Sequence, residues 1–150
     1  MVKRFLFVVL IALSACVHSN RGDNQASTTA VPAPEKDELA ELSMNLVRTM
    51  ASDTGPYFSK HGQNKTVSKA IDSLRDLMKD PESVRVKGVR VVDFAGGKVV
   101  CGEFNAKNGY GAYTGYKPFV AGVSVADVYE TKYPLIEKSA NAGITAACGP

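Results

Sequence analysis

Apolar residues recur at helical spacing in the first half of the chain and alternate with polar ones in the second. Over residues 35–51, Leu39, Leu42, Leu46, Val47 and Met50 form one apolar stripe. Acidic Glu35, Asp37, Glu38 and Glu41 fall early and Arg48 falls late, a polarity that suits the helix dipole. Gly55-Pro56 then interrupts the pattern and predicts a break. A second helix is predicted over 67–79, with Thr66 as N-cap and Val67, Ala70, Ile71, Leu74, Leu77 and Met78 as its stripe. Asp80-Pro81 stops it, because a proline pushes the residue before it out of the helical region. Both stripes read as faces packed on the domain's own sheet, with an oligomer seam as the alternative.

From Ser83 the period shortens. Val84, Val86, Val89, Val91 and Val92 are β-branched, with Arg85, Lys87 and Arg90 between them. The alternation changes phase near Gly88, which predicts a bulge or bend. Ala95-Gly96-Gly97 is a turn signal, and 99–105 should return as the hairpin partner. A third strand is expected within 113–125. Residues 128–139 form a weaker helical stretch interrupted by Pro134, and 144–148 a short strand or coil. The expected fold class is α+β: two N-terminal helices on one face of a small antiparallel sheet, with one disulfide.

The N-terminus has its own pattern. Lys3-Arg4 precedes an apolar run over 5–13, about as long as a signal-peptide core and too short to span a bilayer, which needs roughly 20 residues. It ends in Leu13-Ser14-Ala15-Cys16. This resembles the signal peptide of a bacterial lipoprotein. The resemblance implies that residues 1–15 are removed, that Cys16 receives a diacylglycerol, and that the new amino terminus is acylated, with palmitate a typical chain. Two or three acyl chains anchor a protein stably. Val17 rather than aspartate follows the cysteine, which in this family implies the outer membrane rather than the inner one. A plain secretory leader cut near Ala15 is the alternative reading.

The anchor changes the rest of the picture. The formal charge is +3, of which Lys3 and Arg4 carry two, so the mature chain is near +1 and has no basic field to suggest nucleic acid as a partner. Residues 16–34 are rich in Ser, Asn, Thr, Ala and Gly and end in Pro32-Ala33-Pro34, the composition of a lipidated disordered tether. Stretched out, it reaches about 60 Å; as a coil, about 25 Å. Residues 35–150 suffice for a single domain. With Cys16 spent on lipid, Cys101 and Cys148 remain, and in an oxidising envelope they most simply pair. Two free buried cysteines are the alternative.

The densest constellation runs from Cys101-Gly102-Glu103 through Asn105-Ala106-Lys107-Asn108 to Gly111-Ala112-Tyr113-Thr114-Gly115. With Asp80-Pro81-Glu82-Ser83 before it, the stretch 74–119 resembles a segment of small uncharacterised proteins of proteobacteria and their prophages. The resemblance implies a domain identity and carries no activity. Asn and Gly tolerate left-handed geometry, so 105–111 suits a tight connection. Tyr110, Tyr113, Tyr116 and Phe119 are spaced by three and cannot all line one face of a strand. Two readings stay open: a structural turn whose aromatic residues pack the sheet edge, or a binding face of Glu103, Asn105, Lys107, Asn108, Tyr110 and Tyr113.

Catalytic signals are weak. A glycine-rich phosphate loop over 109–115 has the wrong spacing and no helix after it. His61 with Cys101 as a nucleophile pair conflicts with the disulfide. Glu103 has no second carboxylate marked by spacing. No His, Cys, Asp or Glu group has metal-ligand spacing, and no cofactor is expected. The expectation is a non-enzymatic, lipid-anchored envelope protein, at the outer membrane, that binds an envelope protein or the cell wall. The alternatives are a prophage superinfection-exclusion, inhibitor or immunity lipoprotein, and a small periplasmic hydrolase.

Overall fold

A computed structural model describes residues 36–149. The leader, Cys16 and the tether lie outside the described residues. The domain is α+β. It has helix α1 (Lys36–Arg75), strands β1 (Arg85–Phe94), β2 (Gly97–Asn105), β3 (Lys117–Ala121) and β4 (Ala126–Val128), then helices α2 (Glu137–Ala140) and α3 (Ala142–Cys148). The four strands form one antiparallel sheet in the order β1-β2-β3-β4.

α1 departs from the expected break. It runs through Gly55-Pro56 and is interrupted instead at Gly62 (φ 76°, ψ 176°), a conformation that glycine adopts at little cost. Tertiary contacts hold the helix together around Pro56. Buried Thr54 accepts a hydrogen bond from the Val123 N–H (3.2 Å). One turn away, Ala51 lies so close to Gly97 that a Cβ on Gly97 would fall 2.0 Å from the Ala51 carbonyl oxygen. Helix propensity yields to such packing. Thr66, expected as an N-cap, lies inside the second arm, buried, with its hydroxyl donating to the Gly62 carbonyl (2.8 Å).

The two arms of α1 do not share a face of the sheet, contrary to expectation. Neighbouring residues of a strand point to opposite faces. Val99, Cys101 and Val120 pack with Val47, Met50 and Ala51 of the first arm and with Ile144 and Ala147 of α3. Val100, Phe104, Phe119 and Ala121 pack with Ala70 and Leu74 of the second arm. The arms therefore clamp the sheet, and the chain turns from one face to the other at Gly62. Of the first stripe, Val47 and Met50 enter the core, whereas Leu42 and Leu46 are exposed.

The hairpin matches its pattern closely. β1 and β2 pair with a register shift between Lys87 and Arg90, the bulge announced by the change of phase, with Gly88 at φ +61°. The bulge keeps Val86 and Val91 on the same core while Lys87 and Arg90 share the other face. Ala95 and Gly96 take positive φ in the connecting turn, as a two-residue hairpin requires. The tail differs from expectation: 142–148 is helix α3 rather than strand or coil, consistent with its Ala-rich sequence. Of the weak helical stretch 128–139, only α2 forms. A disulfide joins Cys101 of β2 to Cys148 of α3. No helix among the described residues is long and apolar enough to cross a membrane.

Candidate functional site

The connection 107–116 between β2 and β3 projects from one end of the sheet as a finger. Its stem is a bridge between Lys107 and Tyr113. The Asn108 N–H donates to the Ala112 carbonyl (2.9 Å), and the Gly111 N–H donates to the Asn108 carbonyl (3.0 Å). The Asn108 side-chain oxygen accepts from the N–H groups of both Tyr110 (2.9 Å) and Ala112 (3.1 Å). This is the local hydrogen bonding that makes asparagine a turn residue. Positive φ at Gly111 (80°) completes the turn.

The finger is also fastened to the body. Ser83 closes a short helical turn over Pro81–Ser83 by donating its hydroxyl to the Asp80 carbonyl (2.7 Å). The same hydroxyl accepts from the Lys107 N–H (3.0 Å), and the Ser83 carbonyl accepts from the Tyr113 hydroxyl (3.2 Å). The two motifs of the distinctive segment, Asp80-Pro81-Glu82-Ser83 and the Asn/Gly/Tyr loop, thus meet in space. Ser83 supports the loop structurally, whereas the sequence marks it only as the point where the strand pattern begins. Its distance in sequence from the loop left no signal of the contact.

The residues expected to form a binding face separate into different roles. Tyr110 stands at the tip, 98% exposed. Lys107 is exposed, with its ammonium 5.8 Å from the Tyr113 ring centre, within reach of a cation–π contact. Asn108 is scaffold, because its side-chain oxygen is used within the loop. Tyr113 is part scaffold, through its hydroxyl. Asn105 lies at the end of β2 with its side-chain oxygen buried and without a partner among the described residues, so that oxygen does not face solvent.

Glu103 lies on the sheet rather than in the finger. It pairs with Lys87 across β1 and β2 (3.1 Å), and the Lys87 ammonium also sits 4.4 Å from the Tyr116 ring centre. These charges border a shallow cleft of about 320 Å³ lined by Lys87, Arg90, Glu103, Pro118 and Cys148. Arg90 donates to the Cys148 carbonyl there, which adds a second tie between α3 and the sheet. Within the cleft Lys87 and Glu103 pair with each other, whereas Arg90 is held by a backbone carbonyl and has no carboxylate partner among the described residues.

The alternatives for chemistry can be placed as well. The Cys101 sulfur is bonded to Cys148, so no free thiol stands there for His61 to activate. His61 packs instead on Tyr57, ring centres 4.3 Å apart. Among the described residues no group of three His, Cys, Asp or Glu side chains is placed to hold a metal ion. Burial raises the Asp127 carboxyl above its ordinary value, opposed by the hydrogen bond it accepts from the Val128 N–H (2.9 Å). Asp127 lies on β4, away from the finger.

No protein-family model matches the chain, and no curated protein or solved structure is similar to it at a significant level.

Proposed function

We propose that the protein is a lipoprotein of the outer membrane, anchored through Cys16, whose domain binds an envelope partner through the 107–116 finger without catalysing a reaction. The observation that carries this reading is the finger itself. A fully exposed tyrosine stands on a loop whose backbone is tied at both levels, by Asn108 within and by Ser83 beneath. An exposed aromatic residue on a pre-ordered loop loses little conformational freedom on binding, the property that makes tyrosine a frequent interface anchor. Lys107, and Lys79 packed beside Gly109, add donors around it. The partner is an envelope protein or the cell wall.

Affinity capture from solubilised membranes tests this. Tyr110→Ala, at a position that packs on nothing, should leave the fold intact and weaken partner recovery by about 30-fold, the effect of losing a hot spot worth about 2 kcal/mol. Unchanged recovery from Tyr110→Ala together with Lys107→Ala would show that the finger is not the binding face. The anchor is tested separately: Cys16→Ser should lose acyl labelling and leave the membrane fraction.

The pre-ordered finger also suits the second reading, an inhibitor, immunity or prophage exclusion lipoprotein, since inhibitors bind through loops that change little on docking. Neighbouring phage or toxin genes would favour that reading, and envelope-assembly genes the first.

A further inference from the structure

We propose that the turn Tyr133-Pro134-Leu135-Ile136 is a hook that seats the domain on the bilayer carrying its anchor. The inference rests on the reading of Cys16 as acylated. Leu135 is 83% exposed, and Tyr133 and Pro134 are exposed beside it. The turn is ordered: the Ile136 N–H donates to the Tyr133 carbonyl (3.0 Å), with proline at the position that favours such a turn. Its stem is locked by Asn141, which accepts from the Glu130 N–H (2.8 Å) and donates to the carbonyls of Glu130 (2.8 Å) and Glu137 (2.7 Å). A lone exposed leucine is ordinary. A leucine, a proline and a tyrosine held outward on one turn, with Lys132 and Lys138 balanced by Glu130 and Glu137 around them, have the composition of an interfacial contact carried by its apolar residues. The leucine enters the acyl region and the tyrosine ring sits at the headgroups.

The position of the hook selects the bilayer as its occupant. The first arm of α1 is fastened to this region, since the Gly143 N–H donates to the Ser43 hydroxyl (3.0 Å) just beyond Asn141. The first arm of α1, which the tether precedes in sequence, therefore packs against the helices that directly follow the hook. Only 19 residues lie between Cys16 and Lys36, and a flexible linker of that length spans about 25 Å. A linker of that length holds the hook near the bilayer at an effective concentration of millimolar order. A contact too weak to recruit a free protein is then enough to orient a tethered one. The finger leaves from the same end of the sheet: Lys117, the first residue of β3, follows the finger directly and donates to the Thr131 hydroxyl (3.1 Å). A docked hook turns Tyr110 toward the membrane plane, which narrows the proposed partner to one lying at or in that membrane.

The sequence contains no tryptophan, so Tyr133→Trp creates a single reporter. The lipidated chain is reconstituted in phosphatidylethanolamine–phosphatidylglycerol vesicles, with and without brominated acyl chains. Tryptophan emission should shift to the blue and be quenched by bromine. Adding Leu135→Ser, at an exposed position that leaves packing intact, should cut the docked fraction about tenfold. Emission that is unquenched, or equally quenched in both variants, overturns the hook. A blue shift that grows with protein density without quenching also overturns it, in favour of contact between copies. Cys16→Ser separates the two readings. The hook predicts that this chain reaches the same quenching at about 10²–10⁴-fold more lipid. Retention of Cys16→Ser in native membranes would count against the anchor alone.

Discussion

Two loops project from the same end of the sheet, and one asparagine organises each. In the finger, Asn108 is exposed and bonds two N–H groups of its own loop. In the hook, Asn141 is 1% exposed and makes three bonds across the stem. The finger is an element that orders itself and leans on Ser83. The hook is shaped from the core, by a residue that also starts α3. The two loops therefore draw stability from different sources, and perturbations should reach them separately.

Removing the disulfide should have the largest effect. It closes a loop with a sequence separation of 47, worth about 4 kcal/mol in the chain-entropy description, and pins α3 to β2. Cys148→Ser with Cys101→Ala should lower stability by about 2–4 kcal/mol in denaturant unfolding. Hydrogen exchange should accelerate in 130–141 and stay slow in the finger stem. Equal acceleration in both loops would erase the distinction.

The two asparagines come next. Asn141→Ala leaves the Glu130 N–H and carbonyl without partners, while the Glu137 carbonyl keeps the backbone N–H of residue 141, and should cost about 2 kcal/mol. Asn108→Ala, at an exposed site where water can replace the lost acceptor, should cost under about 1 kcal/mol while speeding exchange at the Tyr110 and Ala112 amides. A reversal of that order would show that the finger, not the hook stem, is tied to the core.

The smallest effect is a pH dependence at the hook's approach. Asp127 on β4 has its carboxyl raised mainly by burial. Between its ordinary and its raised value the native state holds more protons than the unfolded state, so stability falls as pH rises through that window and is level above it. Asp127→Asn should remove that slope in unfolding measured as a function of pH. Protonation should leave exchange in the finger unchanged.

Much of this arrangement was legible in the sequence, and the rest was hidden for definite reasons. The phase change of the valines announced the bulge at Gly88, because strand periodicity is local. Two remaining cysteines announced their pairing once Cys16 was assigned to lipid. The helix break was misplaced because Gly55-Pro56 is a strong local breaker, whereas packing on Gly97 and Val123 is not local. The clamp of α1 on both faces was missed for the same reason: a stripe does not say which face it meets. The finger was recognised by composition, but the split between Tyr110 as tip and Asn108 as scaffold depends on hydrogen bonds that composition does not specify. In the sequence Tyr133-Pro134-Leu135 reads as an interrupted helix, because the closure of the turn by Asn141 is a tertiary feature.

In-cell photocrosslinking reads out directly whether the finger meets a partner. A benzophenone side chain is placed at Tyr110, at Tyr133 or at exposed Lys60 on α1. A discrete protein or cell-wall adduct is expected from position 110, lipid adducts from position 133 and neither from position 60. An absence of any discrete adduct at 110, or the same adducts from all three positions, would contradict it.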